Sequence, residues 1–165
     1  MNDDFISLLA YNRWADRRVL DACRQLSPAQ YAAEPVPGWA SVRASVVHIA
    51  SATSNWIRRL AGEEVVGPLT ETDLPTLVDA ERRLEQAYQM LDGLWPALTP
   101  EKMTMPRAFT MRGKSAMLPP WVVLRHVVNH ATYHRGQVAS KLKRLGVEPP
   151  ATDLVLWALE QTPQA

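Results

Sequence analysis

Residues 77–98 read LVDAERRLEQAYQMLDGLWPAL, and the spacing of their apolar residues decides the fold class. Apolar residues recur here at alternating steps of three and four positions, which is the period of one face of an α-helix. This stripe comprises Leu77, Ala80, Leu84, Ala87, Leu91, Leu94 and Leu98. The segment therefore predicts an amphipathic helix that buries this face against other helices, with Pro75 in its first turn.

Three further long segments show the same period. They begin near Phe5, at the N-cap candidate Ser41 and at the pair Pro119-Pro120, and the last two are expected to end before Gly62 and Gly146. Four amphipathic helices in a chain of this length are typical of a four-helix bundle. The sequence therefore predicts an all-α fold.

Shorter pieces complete the predicted architecture. The stretch Ser27-Pro28-Ala29-Gln30 has the pattern of a capping box that opens a short extra helix, and Thr152 is expected to cap a last short helix. The connection at residues 99–118 contains two prolines that exclude a long helix, and an irregular hairpin with the turn Arg112-Gly113-Lys114 is expected there. This long connection also permits a crossover, so the helices need not simply alternate up and down.

Composition and charge limit the classes of function. The chain has 165 residues, of which 47% are hydrophobic and 21% charged, and this suits a single domain over residues 1–165. A net charge of +1 gives no field that would attract nucleic acid or a membrane surface, so neither partner is expected. Cys23 is the single cysteine and is expected to be a small core residue. The acidic N-terminus lacks signal-peptide features and no apolar run is long enough to cross a membrane, so a cytoplasmic location is expected.

The histidines are the residues with the clearest chemistry. The last long helix carries His126, His130 and His134. His130 and His134 are expected to lie one turn apart on the face that points into the core. Buried imidazoles need partners, and a metal ion is one such partner. His48 lies on the second long helix, and facing helices of a bundle bring such side chains within reach of one another. The histidines at 48, 130 and 134 are therefore the candidate ligands of one divalent transition metal.

Other polar residues are candidates for supporting roles, and each has a plainer alternative. His126 lies about 80° from His134 on the helical wheel, so it is expected to flank the ligands. Gln137 is one turn beyond His134 and is a candidate for orienting a ligand or binding substrate, or for a polar position at the mouth of the bundle. Asn12 and Asn55 interrupt or border apolar stripes and are candidate hydrogen-bond donors to the ligands. The histidine pair by itself is equally compatible with core histidines bonded to carbonyl groups.

The segment at residues 126–137, HVVNHATYHRGQ, resembles the signature of the DinB-like damage-inducible family. Matching stretches occur in the right order along nearly the whole chain, at Tyr11–Ala15, Ser41–Arg43, Val47–Ile49, Leu118–Trp121 and Pro149–Leu154. The resemblance implies a four-helix bundle with up-down-down-up connectivity, often a dimer, which binds a divalent metal, commonly zinc or nickel. It also implies that the ligands are His48, His130 and His134.

The wider superfamily includes transferases and isomerases that use low-molecular-weight thiols. The resemblance therefore implies a metal-dependent enzyme, a thiol-dependent transferase or a hydrolase, which acts on a small molecule. A metalloprotease is disfavoured, because no glutamate lies between the two helical histidines. The alternatives are a metal-binding or stress-response protein without turnover, and a bundle that binds no metal.

Overall fold

The computed structural model describes residues 2–65, 67–111 and 113–162. Most of these residues are helical, as predicted, and the helices are joined by loops, one 3-10 turn and one antiparallel hairpin. In chain order the elements are α1 (Asn2–Cys23), α2 (Pro28–Ala32), α3 (Val42–Leu60), α4 (Leu77–Leu94), the 3-10 turn (Trp95–Ala97), α5 (Pro100–Thr104), β1 (Arg107–Met111), β2 (Lys114–Leu118), α6 (Pro120–Arg144) and α7 (Leu154–Gln161).

The long helices α1, α3, α4 and α6 form the bundle, and successive contacts give their directions. Contacts between α1 and α4 run in opposite order along the two helices, so this pair is antiparallel: Arg13–Glu85 and Arg24–Glu81. Contacts between α1 and α6 run in the same order, so this pair is parallel: Phe5–Arg125 and Asp16–Arg135. Contacts between α3 and α6 run in opposite order: Ser45–Lys141 and Trp56–His126. The connectivity is therefore up-down-down-up.

The crossover that this connectivity requires lies at residues 61–76 and not at 99–118. Because α3 and α4 are parallel neighbours, the chain must return along the length of α3, about 28 Å for a helix of 19 residues. The connection after α4 instead carries α5 and the hairpin β1–β2, in which Arg107 pairs with Leu118 and Met111 with Lys114. Gly113 in the turn has a positive φ of 72°, which suits glycine, whereas Arg112 lies outside the described residues.

Three predicted helix ends differ from the structure. The N-cap of α4 is Thr76, whose side chain forms a capping box with Asp79, so Pro75 lies before the helix rather than in its first turn. The apolar stripe of this helix ends at Leu94 and does not continue to Leu98, because Pro96 has no N–H group to extend the α-helical hydrogen bonding. The N-cap of α7 is Asp153 rather than Thr152.

The face of α6 that enters the core is only partly the face predicted. The expected stripe was Val123, Val127, His130, His134 and Val138, and its three valines are buried. The two histidines are only half-buried, although their helical spacing with these valines had placed them in the stripe. The buried stripe instead continues through Ala131, Arg135 and Leu142, all at most 2% exposed. Arginine rarely occupies a core position without a buried partner. Here Arg135 has such partners, and the helix is rotated accordingly.

The buried partners of Arg135 come from α1, and a tyrosine of α4 bonds to both of them. Its guanidinium donates to the carboxylate of Asp16 at 2.8 Å and to the side-chain carbonyl of Asn12 at 2.7 Å. Tyr88 completes the network by donating to Asp16 at 2.6 Å and accepting from Asn12 at 2.7 Å. Burial next to the Asp16 carboxylate holds the pKa of the Tyr88 hydroxyl well above its usual value. These bonds tie three of the four long helices together at one level of the bundle.

Cys23 is buried in the core, as predicted, and burial raises the pKa of its thiol to about 12. Among the described residues, no helix is both long enough and apolar enough to cross a membrane.

Candidate metal centre

Three histidines from two helices converge at the surface between α3 and α6. One nitrogen from each of His48, His130 and His134 lies within 4.8 Å of the other two. The Nε2 atoms of His48 and His130 are 3.0 Å apart, and the His134 ring lies 4.3 Å from His48 and 4.4 Å from His130 between centroids. Two imidazole nitrogens bound to one tetrahedral zinc ion lie about 3.3 Å apart, so this spacing suits a shared ion.

The antiparallel packing of α3 and α6 creates this cluster. The two candidate ligands on α6, His130 and His134, are four residues apart and project from the same side of the helix, one turn from each other. His48 projects from α3 toward them, beside the buried residues Val47 and Ile49. His48 is exposed and the other two are half-buried, so the cluster is open to solvent on one side.

The surroundings of the cluster favour neutral imidazoles. Burial, and after it the neighbouring histidines at 134, 48 and 126 in that order of importance, together lower the pKa of His130 to about 4. The pKa of His48 is also lowered, by burial first and then by His134. A neutral imidazole offers a lone pair, which is the form that binds a metal. The 3.0 Å contact between two Nε2 atoms likewise requires that at least one of them carries no proton.

Gln137 orients one of the three rings. Its side-chain carbonyl lies 2.8 Å from Nδ1 of His134, where it accepts a hydrogen bond from the ring N–H. In a neutral ring this contact fixes the tautomer in which Nε2 carries the free lone pair. The structure therefore supports the orienting role for Gln137 over a merely polar position at the bundle mouth.

The other candidate residues lie in different surroundings. His126 stacks on His130 at 5.3 Å and meets the edge of Trp56 at 4.9 Å, so it flanks the cluster as expected. Asn12 belongs to the Arg135 network in the core, and the Asn55 side chain donates to the carbonyl of Gly67 at 2.9 Å. These hydrogen bonds give both asparagines structural roles in the helix and loop packing.

A cavity of about 480 Å³ opens beside the cluster and contains residues that sequence reasoning missed. His48, His134 and Gln137 form one part of its wall, and the remainder includes Trp39, Ser45 and Lys141. A signal for Lys141 was present, because it follows Gln137 by four residues on the same helix. The signal for Ser45 was its position one turn before His48. Neither could be recognised without knowing which helices face each other.

Comparison with known proteins gives a consistent assignment of family and fold. The profile of the DinB family matches residues 1–164. The protein DinB of Bacillus subtilis strain 168 is 24% identical over 163 residues, which cover 95% of each chain. A crystal structure of a conserved protein from Enterococcus faecalis superposes with a TM-score of 0.64 and 13% identity, covering 84% of this chain and 94% of that one.

Proposed function

The chain belongs to the DinB family, and from this premise we propose that His48, His130 and His134 hold one divalent transition metal, zinc or nickel. The observation that carries the proposal is the convergence of three imidazole nitrogens within 4.8 Å. The orientation of His134 by Gln137 supports it, since metal-binding histidines usually have an acceptor on their second nitrogen. Three ligands on one side of an ion leave its other positions open to a small molecule.

The function that this site supports best is a metal-dependent enzyme, either a thiol-dependent transferase or a hydrolase. When bound, the ion supplies a Lewis acid that can stabilise a thiolate or polarise a carbonyl group. The chain supplies the cavity next to it, with Trp39 as an apolar wall. A volume of about 480 Å³ suits a small-molecule substrate such as a low-molecular-weight thiol.

The alternative function is metal binding without turnover, as in a metal store or a stress-response protein. One observation favours it: among the described residues, the wall of this cavity contains no carboxylate that would act as a general acid or base. The two functions differ in turnover and not in metal content.

Metal analysis tests the proposed site directly. We expect close to one zinc or nickel ion per chain in tag-free protein, measured by mass spectrometry after reconstitution with each metal. His130→Ala and His134→Ala should each lose the ion, because two remaining imidazoles form a weak site. His126→Ala is the matched control, since it removes the third histidine of the same helix and should retain the ion. Absence of metal from the reconstituted native protein would refute the site.

Turnover separates the two functions. We expect thiol-dependent transfer to electrophiles, or hydrolysis of simple esters and amides, that requires metal and disappears in His48→Ala. The thiols to compare are bacillithiol, mycothiol and glutathione. A metal-loaded protein that is inactive with all of them would support the non-enzymatic alternative.

We further propose that the protein is cytoplasmic and forms a homodimer. Cell fractionation tests the location, and sedimentation velocity tests the dimer. The exposed large apolar residues of α7 are the surface to mutate in the test for a dimer, and they are Leu154, Val155, Leu156 and Leu159. Trp157 is excluded from that surface, because it packs on Tyr11 at 6.2 Å and covers the bundle.

A further inference from the structure

Lys141 is a buried cation next to the candidate metal centre. Its side chain is 6% exposed, and its ammonium group donates to the hydroxyl of Ser45 and, at 3.4 Å, to the carbonyl of Ser41. Both acceptors are uncharged, and the described residues include no carboxylate that forms an ion pair with Lys141. Glu71, the carboxylate that accepts from the Ser41 hydroxyl, is paired with Arg43 at 2.7 Å.

A buried charge without a counter-ion is costly, and proteins seldom retain one without a use. Burial lowers the pKa of Lys141, which reflects this cost. The ammonium group has three donors, and the described residues provide acceptors for two of them. The Ser45 hydroxyl accepts from Lys141 and keeps its own proton available for donation. Two donors can therefore face an acceptor that enters the cavity.

The cavity connects these donors to the histidines. Lys141 and Ser45 line the same cavity as His48 and His134. Lys141 follows His134 by seven residues on α6, which is two helical turns, and Ser45 precedes His48 by three residues on α3, which is less than one turn. Trp39 borders the space, and the guanidinium of Arg144 lies over its ring at 4.9 Å, which places a second cation near the cavity.

We propose that Lys141 and Ser45 form an anion-binding subsite, which holds a carboxylate or phosphate group of the molecule that reacts or binds at the three histidines. The ligand class is then a small anionic molecule that reaches from the histidines to Lys141 and Ser45 within this cavity. The anion subsite is inferred from the geometry of the cavity and is independent of the metal. The identity of the bound anion as the substrate rests on the proposed function.

Titration calorimetry with two probes, inorganic phosphate and succinate, tests the subsite. We expect saturable binding of at least one probe to the native protein, weakened about tenfold to 100-fold in Lys141→Met, because a charge-assisted hydrogen bond is lost. The preferred probe distinguishes a phosphate group from a carboxylate. Lys143→Met is the matched control: it removes an exposed cation from the same helix and should bind the probe like the native protein.

Two further measurements separate the subsite from other causes of probe binding. His130→Ala should retain probe binding, because His130 is not part of the cavity wall; loss of binding there would assign the probe to the metal and overturn the proposal. Lys141→Met should raise the melting temperature, since methionine fills similar space without an uncompensated charge. If Lys141→Met melts at a lower temperature and binds the probe like the native protein, Lys141 has a purely structural role and the subsite is refuted. Absence of saturable probe binding to the native protein would also overturn the subsite.

Metal content measured on the same preparations keeps the two proposals distinguishable. If the native protein holds no metal but binds the probe through Lys141, the anion subsite stands and the proposed function fails. If Lys141→Met retains its metal and its affinity for the probe, the proposed function stands and the subsite fails.

Discussion

At the scale of single residues, the candidate site depends on the hydrogen bond between Gln137 and Nδ1 of His134. The carbonyl of Gln137 accepts from Nδ1 of His134, which leaves Nε2 as the nitrogen of that ring with a lone pair for an ion. An imidazole without such a partner rotates and exchanges tautomers more freely, so it offers its lone pair to the ion for less of the time.

Gln137→Leu should therefore weaken metal binding by about 10-fold to 100-fold without removing a ligand. Competition with a chromophoric chelator measures the affinity. Gln137→Glu is the matched control, because a carboxylate is a stronger acceptor for the same N–H and should preserve or tighten binding. Equal affinities for the native protein and Gln137→Leu would show that this hydrogen bond does not control the ligand.

The low pKa of His130 predicts how stability varies with pH in the chelator-treated protein. The pKa of His130 is about 4 in the folded protein, whereas an ordinary histidine has a pKa of 6.5, so between these pH values the unfolded chain binds the extra proton. The free energy of unfolding should consequently fall as the pH is lowered from 6.5 toward 4. Above pH 6.5, His130 should cause no change of stability with pH.

Denaturant unfolding at both ends of that range measures the effect. His130→Ala should lose less stability than the native protein over the same interval, because carboxylates that titrate there are common to both. An equal or greater loss in the variant would contradict the assigned pKa.

At the scale of the helices, the buried pair Asp16–Arg135 holds α1 against α6, and Tyr88 adds α4 to the same network. Both charged side chains are at most 4% exposed, so removal of one leaves the other charged and desolvated. The pair also fixes the rotation of α6. Because the candidate ligand His134 directly precedes Arg135, this rotation also sets the direction in which His134 projects. The metal site and the core thus share one helix orientation.

Asp16→Ala should lower the free energy of unfolding by about 3–5 kcal/mol, the usual cost of breaking a buried ion pair by removing one partner. Urea unfolding of the chelator-treated protein measures this directly. Asp21→Ala, on the same helix, is the control, because Asp21 is exposed and its contact with Arg24 is 3.4 Å long. That variant should change stability by less than about 1 kcal/mol. Similar losses in the two variants would argue against a special role for the buried pair.

At the scale of the whole molecule, the proposed ion would join α3 to α6, two helices that are far apart in sequence but adjacent in the bundle. An ion that binds the folded state and not the unfolded chain stabilises the fold by mass action. The ligands reach the surface and do not fill the core, so the bundle is expected to stay folded without the ion.

Chelator should therefore lower the melting temperature of the metal-loaded protein without unfolding it at room temperature, as followed by circular dichroism. Restoring zinc or nickel should reverse the change. His130→Ala provides the reference, because a variant that holds no ion should melt at the same temperature with and without chelator. If native protein that is shown to contain metal melts at the same temperature with and without chelator, the ion does not stabilise the fold.

The sequence by itself determined the helices, many of their ends and the three residues that meet at the candidate site. Periodicity, N-cap residues and terminal glycines are local signals, and they located the starts of α2, α3 and α6. Helical spacing selected His48, His130 and His134, the resemblance of the segment at 126–137 to one family implied the same set, and the fold brings the three together.

Only the tertiary structure decided which face of α6 enters the core and where the crossover lies. Residues 134 and 135 differ by about 100° on the helix, and hydropathy favours histidine over arginine as the buried residue. The choice depends on Asp16, which is 119 residues away in sequence and makes the burial of Arg135 favourable. The cavity with Lys141 has the same origin, since its walls come from two antiparallel helices. Local patterns carry no information about such pairings, because the compensating charge or hydrogen bond lies on a distant segment.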